Sequence, residues 1–133
     1  MAARPRIRVV IADDQPLQRH GFRMVLESQD DIAIVGEASD GSQALALVRN
    51  EPTDVVLMDI QMPRVNGLVA AAAMADDAAV RQLGRAPRVI LLTAVDVDDH
   101  IAAAATAGVF AVLFKDIDPE DLLSAVRAAA VSA

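Results

Sequence analysis

Short apolar runs rich in β-branched residues recur along the chain at Ile7 to Ala12, Ile32 to Ala38, Val55 to Met58, Val89 to Leu92 and Val109 to Phe114. Runs of this length and makeup, separated by longer Ala- and Leu-rich stretches, predict five buried strands. The intervening segments carry apolar residues at helical spacing, and two have readable starts. Pro16 follows Asp14-Gln15 and suits a first helical turn, while Asp118 offers a capping carboxylate ahead of Pro119 at the first helical position. The apolar face of the first helix is expected along Leu17, Gly21, Met24 and Val25, with Phe22 and Leu26 beside it. That of the last is expected along Leu122, Leu123, Val126 and Ala130. Buried strands alternating with amphipathic helices imply parallel pairing through right-handed crossovers, with helices covering both sheet faces. The expected fold class is α/β, a doubly wound parallel sheet forming one domain over residues 1–133. Met74 to Pro87, with an Asp pair and Gly84, marks a helix end whose position the pattern does not fix.

In such sheets ligands bind beyond the carboxyl ends of the strands. The residues found there are Asp13 and Asp14 after the first strand, Asp59 after the third, Thr93 after the fourth and Lys115 after the fifth. Taken singly, each Asp reads as a turn former or helix cap, and Thr93 as an ordinary strand residue. Taken together, three carboxylates at one edge repel one another and need a cation. An oxygen-only set without His or Cys suits Mg²⁺. Asp59 follows Val55-Val56-Leu57-Met58 and precedes Ile60, so its surroundings are apolar and its charge requires compensation. Lys115 is the single lysine among twelve basic residues. Its compact ammonium on a flexible stem suits an ion pair with a carboxylate. The Thr93 hydroxyl can donate to an anionic oxygen. Pro63 and Gly67, in Asp59-Ile60-Gln61-Met62-Pro63-Arg64-Val65-Asn66-Gly67, predict a rigid turn and then a permissive backbone ahead of the third helix.

Composition narrows the choice of partners. A formal net charge of −7 argues against a phosphate-gripping surface for nucleic acid, and with Phe22, Phe110 and Phe114 as the only aromatics there is no platform for stacking bases. The absence of cysteine excludes disulfide frameworks, thiol catalysis and cysteine metal sites. The strongly apolar runs are all short of a bilayer span. The start, Met-Ala-Ala-Arg-Pro-Arg and then a short interrupted apolar stretch, is unlike a secretory leader, so no membrane contact and a cytoplasmic location are expected. His20 and His100 fall in predicted helices among polar neighbours, and neither is assigned a role in phosphotransfer.

The Asp13-Asp14 pair, Met58-Asp59-Ile60-Gln61-Met62-Pro63 with Gly67, Leu91-Leu92-Thr93-Ala94 and Phe114-Lys115-Asp116 together resemble the receiver domains of two-component response regulators, over essentially the whole chain. The wording of Asp13-Asp14-Gln15-Pro16-Leu17 and Leu113-Phe114-Lys115-Asp116 is most similar to receivers of the NarL/FixJ type. The resemblance implies the flavodoxin-like receiver fold, a five-stranded parallel sheet in the order 2-1-3-4-5 with five helices. It implies Asp59 as phosphoacceptor, taking its phosphoryl group from a sensor histidine kinase or a small donor such as acetyl phosphate. Mg²⁺ would be held by Asp14, Asp59 and the backbone carbonyl of Gln61, with Asp13 acting partly through water, while Thr93 and Lys115 would bind phosphoryl oxygens. Such a domain is not an enzyme beyond slow self-catalysed gain and loss of the phosphoryl group. Many relatives carry a switching aromatic three positions before the lysine, where this chain has Val112, flanked by Phe110 and Phe114.

Receivers of this type usually precede a helix-turn-helix domain and dimerise on activation. Control of transcription is therefore expected through a DNA-binding domain absent from these residues, with a homodimer as the active form. Two rival readings remain. A magnesium-dependent aspartyl phosphatase would carry a second acid two residues after its nucleophile, where this chain has Gln61. A receiver fold kept only as a phosphorylation-independent interaction module would not need the full set of acidic, Thr and Lys positions. A nucleotide-binding module is opposed by Asp13-Asp14, which stands where a glycine-rich phosphate loop would be.

Overall fold

The computed structural model describes residues 6–63, 65–94 and 101–132. Five strands, β1 (Ile7–Ala12), β2 (Ile32–Ala38), β3 (Val55–Asp59), β4 (Arg88–Thr93) and β5 (Ala111–Phe114), form one parallel sheet in the order β2-β1-β3-β4-β5. The helices are α1 (Pro16–Glu27), α2 (Gly41–Asn50), α3 (Gly67–Asp76), α4 (Ala78–Gln82), α5 (Ile101–Thr106) and α6 (Pro119–Val131). The strand order reverses between β1 and β3, which opens a crevice at their carboxyl ends.

Period-two alternation within the strands builds two cores, one on each sheet face. Val10, Ala12, Val56, Met58, Val89 and Leu91 pack with Ala44 and Val48 of α2, Ala70, Ala71 and Met74 of α3, Val80 of α4 and Ala104 of α5. Val9, Ile11, Val55, Leu57, Ile90 and Leu92 pack with Leu26 of α1 and Leu122, Leu123, Val126 and Ala129 of α6. Burying each of the large aliphatic side chains contributes roughly 1.5–3 kcal/mol. On the first of these faces α2, α3 and α5 present alanines to the core, and Met74 is the largest fully buried side chain that a helix adds.

The fold class and strand order expected from the sequence are observed. Where five helices were expected the described residues form six, because the stretch from Gly67 to Gln82 is divided. Asp77 has an extended backbone (φ −74°, ψ 125°), ends α3, and accepts the Val80 amide on its side chain at 3.0 Å to start α4. A short polar residue that caps one helix competes with continuing the previous one. The face of α1 also differs from expectation. Leu17 and Met24 are 84 % and 61 % exposed and a Cβ on Gly21 would meet nothing, whereas Leu26 is buried with Phe22 and Val25 packed beside it. The stripe through Leu17, Gly21 and Met24 therefore faces outward. Pro16 and Pro119 do occupy the first helical turns, but Asp118 precedes α6 without a side-chain capping bond. The fifth strand begins at Ala111, two residues later than the apolar run. Among the described residues, no helix is long and apolar enough to cross a membrane.

Candidate acidic site at the strand ends

Asp13 leaves β1 buried, 1 % exposed, and tied on three sides. Its amide donates to Ala38 O at 3.0 Å, its carbonyl accepts Arg19 Nη1 at 2.7 Å, and its Oδ1 accepts the Gln15 amide at 2.9 Å. Asp14 follows it into solvent. Asp59 ends β3 at 4 % exposure; its Oδ1 accepts the Gln61 amide at 3.1 Å and its Oδ2 accepts Lys115 Nζ at 2.8 Å. Carboxylate oxygens of Asp13, Asp14 and Asp59 lie within 4.8 Å of one another.

Lys115 Nζ also stands 3.3 Å from Asp13 Oδ2. That contact is an ion pair by distance but lacks hydrogen-bond geometry, so Asp13 Oδ2 is a buried oxygen with no hydrogen-bond donor among the described residues. A buried acceptor left in that state is costly, and a hard cation beside it would remove the cost. Three clustered carboxylates, two of them paired with one ammonium, also leave negative charge in excess. The residues present thus fit a divalent cation bound through oxygen.

The protonation equilibria carry the same imprint. Burial pushes the Asp59 carboxyl above its ordinary range, against the hydrogen bond and charge of Lys115 and the Gln61 amide, and the Asp13 charge adds to the rise. For Lys115, burial alone would lower its value, but the hydrogen bond and charge of Asp59 together with Asp13 outweigh it and the ammonium is held above its usual range. The Asp59 shift chiefly reflects burial, and the Lys115 shift reflects its acidic neighbours.

Thr93 ends β4 at 2 % exposure, and its carbonyl accepts the Lys115 amide at 2.9 Å, which fixes the lysine's place at the end of β5. Gln18, Thr93, Ala94, Phe114, Lys115 and Asp116 line a cleft of about 410 Å³ opening beside the ammonium. The structure therefore brings the carboxylates of Asp13, Asp14 and Asp59 together, pairs Lys115 with Asp59 and Asp13, and sets Thr93 on the wall next to Lys115. Gln61 is bound to Asp59 through its amide. His20 is exposed on α1, as expected for an ordinary surface residue, and His100 lies outside the described residues.

The loop after Asp59 is shaped by contacts that sequence spacing only partly disclosed. Gly67 has no left-handed backbone; the positive φ values among the described residues belong to Gly84 and Gly108. Its smallness serves close approach instead. A Cβ there would lie 2.3 Å from the Asp59 carbonyl oxygen, and its amide donates to Ile60 O at 2.8 Å. Gly41 makes the same kind of contact from α2, and the reading of the sequence passed over it. Its only signal was a capping Asp40 directly before it, which marks a helix start and nothing about a loop 24 residues away. Arg19, which holds the Asp13 carbonyl, left no signal beyond its position one turn into α1.

A family model for the response regulator receiver domain matches residues 9–127, and the chain belongs to that family. It is of the NarL type. It is 41 % identical over 127 residues to the transcriptional regulatory protein YxjL of Bacillus subtilis, covering 94 % of this chain and 55 % of that protein. It is 38 % identical over 123 residues to the nitrate/nitrite response regulator protein NarP of Escherichia coli, covering 92 % and 54 %. In structure it is similar to the signal receiver domain of NarL from Mycobacterium tuberculosis, with a TM-score of 0.85 and 34 % identity over 97 % of this chain and 99 % of that one. The chain spans about half the length of the curated relatives it matches.

Proposed function

We propose that this domain is a phosphoacceptor switch in which an Asp59 side-chain oxygen takes a phosphoryl group from a phosphohistidine on a sensor histidine kinase, or from a small acyl phosphate. The observation that carries the reading is the buried Asp59 carboxylate held at 2.8 Å by the chain's one lysine, with two further carboxylates beside it. Asp13, Asp14 and Asp59, with the backbone carbonyl of Gln61, would hold Mg²⁺, which when bound neutralises charge on the transferring group. The Gln61 amide and Lys115 orient the Asp59 carboxylate for in-line attack. As the new O–P bond forms and the bond to the donor breaks, Lys115 exchanges its carboxylate partner for a phosphoryl oxygen. Thr93 donates its hydroxyl to another. The leaving electron pair stays with the donor's nitrogen or carboxylate oxygen. The chain supplies alignment and charge, and the donor supplies the group, so turnover beyond slow self-catalysed transfer and hydrolysis is not its task.

The output we infer is a change of packing around Thr93 and Lys115 that favours a homodimer and controls transcription through a DNA-binding domain outside these residues, in the cytoplasm. The sequence likeness to transcriptional regulators of about twice this length supports that part. The chain's own charge of −7 speaks against direct contact with DNA.

The test is intact mass after incubation with acetyl phosphate and Mg²⁺. A gain of about 80 Da, one phosphoryl group, is expected for the parent chain, and no gain for Asp59→Asn or in excess chelator. If a phosphorylated histidine kinase and acetyl phosphate both leave the mass unchanged, the chain is an interaction module and the phosphoacceptor reading is wrong.

A further inference from the structure

The loop between Asp59 and α3 is held from two sides by glycines, and one of them comes from an element with no residue in the acidic pocket. Gly41 is the first residue of α2 and is buried. Its amide donates to Val65 O at 3.2 Å. A Cβ on Gly41 would stand 2.5 Å from that oxygen and 3.0 Å from Val65 Cβ and Cγ1. Backbone cannot yield there as a flexible side chain would, so any larger residue must push the loop away from α2 or move the helix.

Movement of the helix is the harder course, because α2 is locked into the core by Ala44 and Val48, at 0 % and 1 % exposure, and capped by Asp40 through the Gln43 amide at 2.8 Å. The loop packs on the same core through Met62 and Val65, so a push at Val65 is passed along it. It is short, its Val65 amide donates to Pro63 O at 2.9 Å, and its first member, Gln61, holds the Asp59 carboxylate. At its far end Gly67 sits against the Asp59 carbonyl. The loop thus fills a slot whose walls are the α2 N-terminus and the end of β3.

We propose that Gly41 is a positioning residue for the divalent cation of the acidic pocket: the N-terminus of α2 sets, through Val65, where the Gln61 segment stands relative to Asp59. The inference rests on the reading of Asp13, Asp14 and Asp59 as a Mg²⁺ site. It follows that α2 and the cation are coupled in both directions, so binding of Mg²⁺ tightens the Gly41 to Val65 contact.

The test is the Mg²⁺ dissociation constant, by isothermal titration, for the parent chain, Gly41→Ala and Gln43→Ala. Gln43 lies exposed on the same helix turn and accepts the Ser39 amide at 2.9 Å, so its loss weakens the start of α2 without placing an atom against Val65. Gly41→Ala should weaken binding at least about tenfold, as a displaced ligand shell does, and Gln43→Ala by less than about twofold. Equal affinity in Gly41→Ala and parent, or equal loss in both variants, overturns the proposal. Should Gly41→Ala fail to fold, exchange of the Gly41 amide in the parent decides: Mg²⁺ must slow it while leaving the Val48 amide in the last turn of α2 unaffected, and no slowing rejects the coupling. No saturable Mg²⁺ binding by the parent would overturn the underlying reading as well, an outcome distinct from binding that ignores Gly41.

Discussion

At the amino ends of β1 and β4 the arginines are matched to acceptors. The Arg8 amide donates to Asp54 Oδ2 at 2.8 Å while its guanidinium reaches Pro52 O at 2.6 Å and Glu51 at 3.1 Å. Arg85 donates to Ser132 O and Ala130 O at 2.6 and 2.7 Å, and Arg88 to Ser132 Oγ at 2.8 Å, so the last carbonyls of α6 are capped by cations. At the carboxyl ends of the same sheet, three carboxylates cluster with one ammonium paired to two of them, a buried acceptor has no hydrogen-bond donor among the described residues, and two glycines admit backbone contacts that no other residue could. One end of the sheet satisfies its polar groups locally. The other leaves them for a ligand, and such local inconsistency in an otherwise consistent fold is the mark of a functional site.

Gly67→Ala breaks this contrast most severely. Its added methyl is opposed at 2.3 Å by the Asp59 carbonyl oxygen, with Ile60 Cα at 3.0 Å, so neither neighbour is a flexible side chain. A loss of about 3 kcal/mol is expected in urea denaturation, the upper range for overpacking. A loss under about 1 kcal/mol would mean that the loop has room to spare. Gly21→Ala, on a helix face where the new methyl meets nothing, should instead stabilise by about 0.5–1 kcal/mol. At the opposite end, Arg85→Ala removes two caps from α6 and should cost about 1–2 kcal/mol. Phosphoryl uptake at Asp59 should be unchanged in that variant. A fall in uptake matching the fall in stability would show that the two ends are not separable.

The parts legible in the sequence were those with short-range signatures. Five apolar runs and two prolines at helix starts gave the alternating fold, and the strand-end rule drew attention to Asp13, Asp59, Thr93 and Lys115 before any of them was in contact. The α1 face was misjudged because Leu17 and Met24 keep helical spacing whether or not they are buried. Periodicity reports a stripe and leaves its orientation open, and here Leu26 and Val25 turned it toward α6. The break at Asp77 was hidden for a related reason, since Ala-rich helices carry little periodic contrast on either side of a cap. Gly41 was invisible in principle: its meaning lies in Val65, and nothing local encodes a contact made by folding.

The smallest expected effect is also the most direct probe of the unmatched charge. Burial raises the Asp59 carboxyl, so the folded chain holds this proton more tightly than the unfolded one. Its contribution to stability is complete below the unfolded value of 3.8 and is lost as pH rises through the higher folded value. Asp59→Asn has no such proton. In chelator, the stability of the parent minus that of Asp59→Asn should therefore fall with pH across this window and stay low up to neutrality, leaving the variant the more stable of the two. Lys115 acts at the other extreme: its raised value keeps its contribution intact below 10.5 and loses it only above. Removing Asp59 takes away its main partner and lowers the folded value, so the alkaline loss of stability should be smaller in the variant. Thermal midpoints measured in steps across both windows check the two limbs, and a difference independent of pH would mean that Lys115 fully matches the Asp59 charge. Adding Mg²⁺ at neutral pH sharpens the case, because it should raise the midpoint of the parent more than that of Asp59→Asn. Equal gains would place the cation away from Asp59 and return the carboxyl end of the sheet to the same locally satisfied state as the amino end.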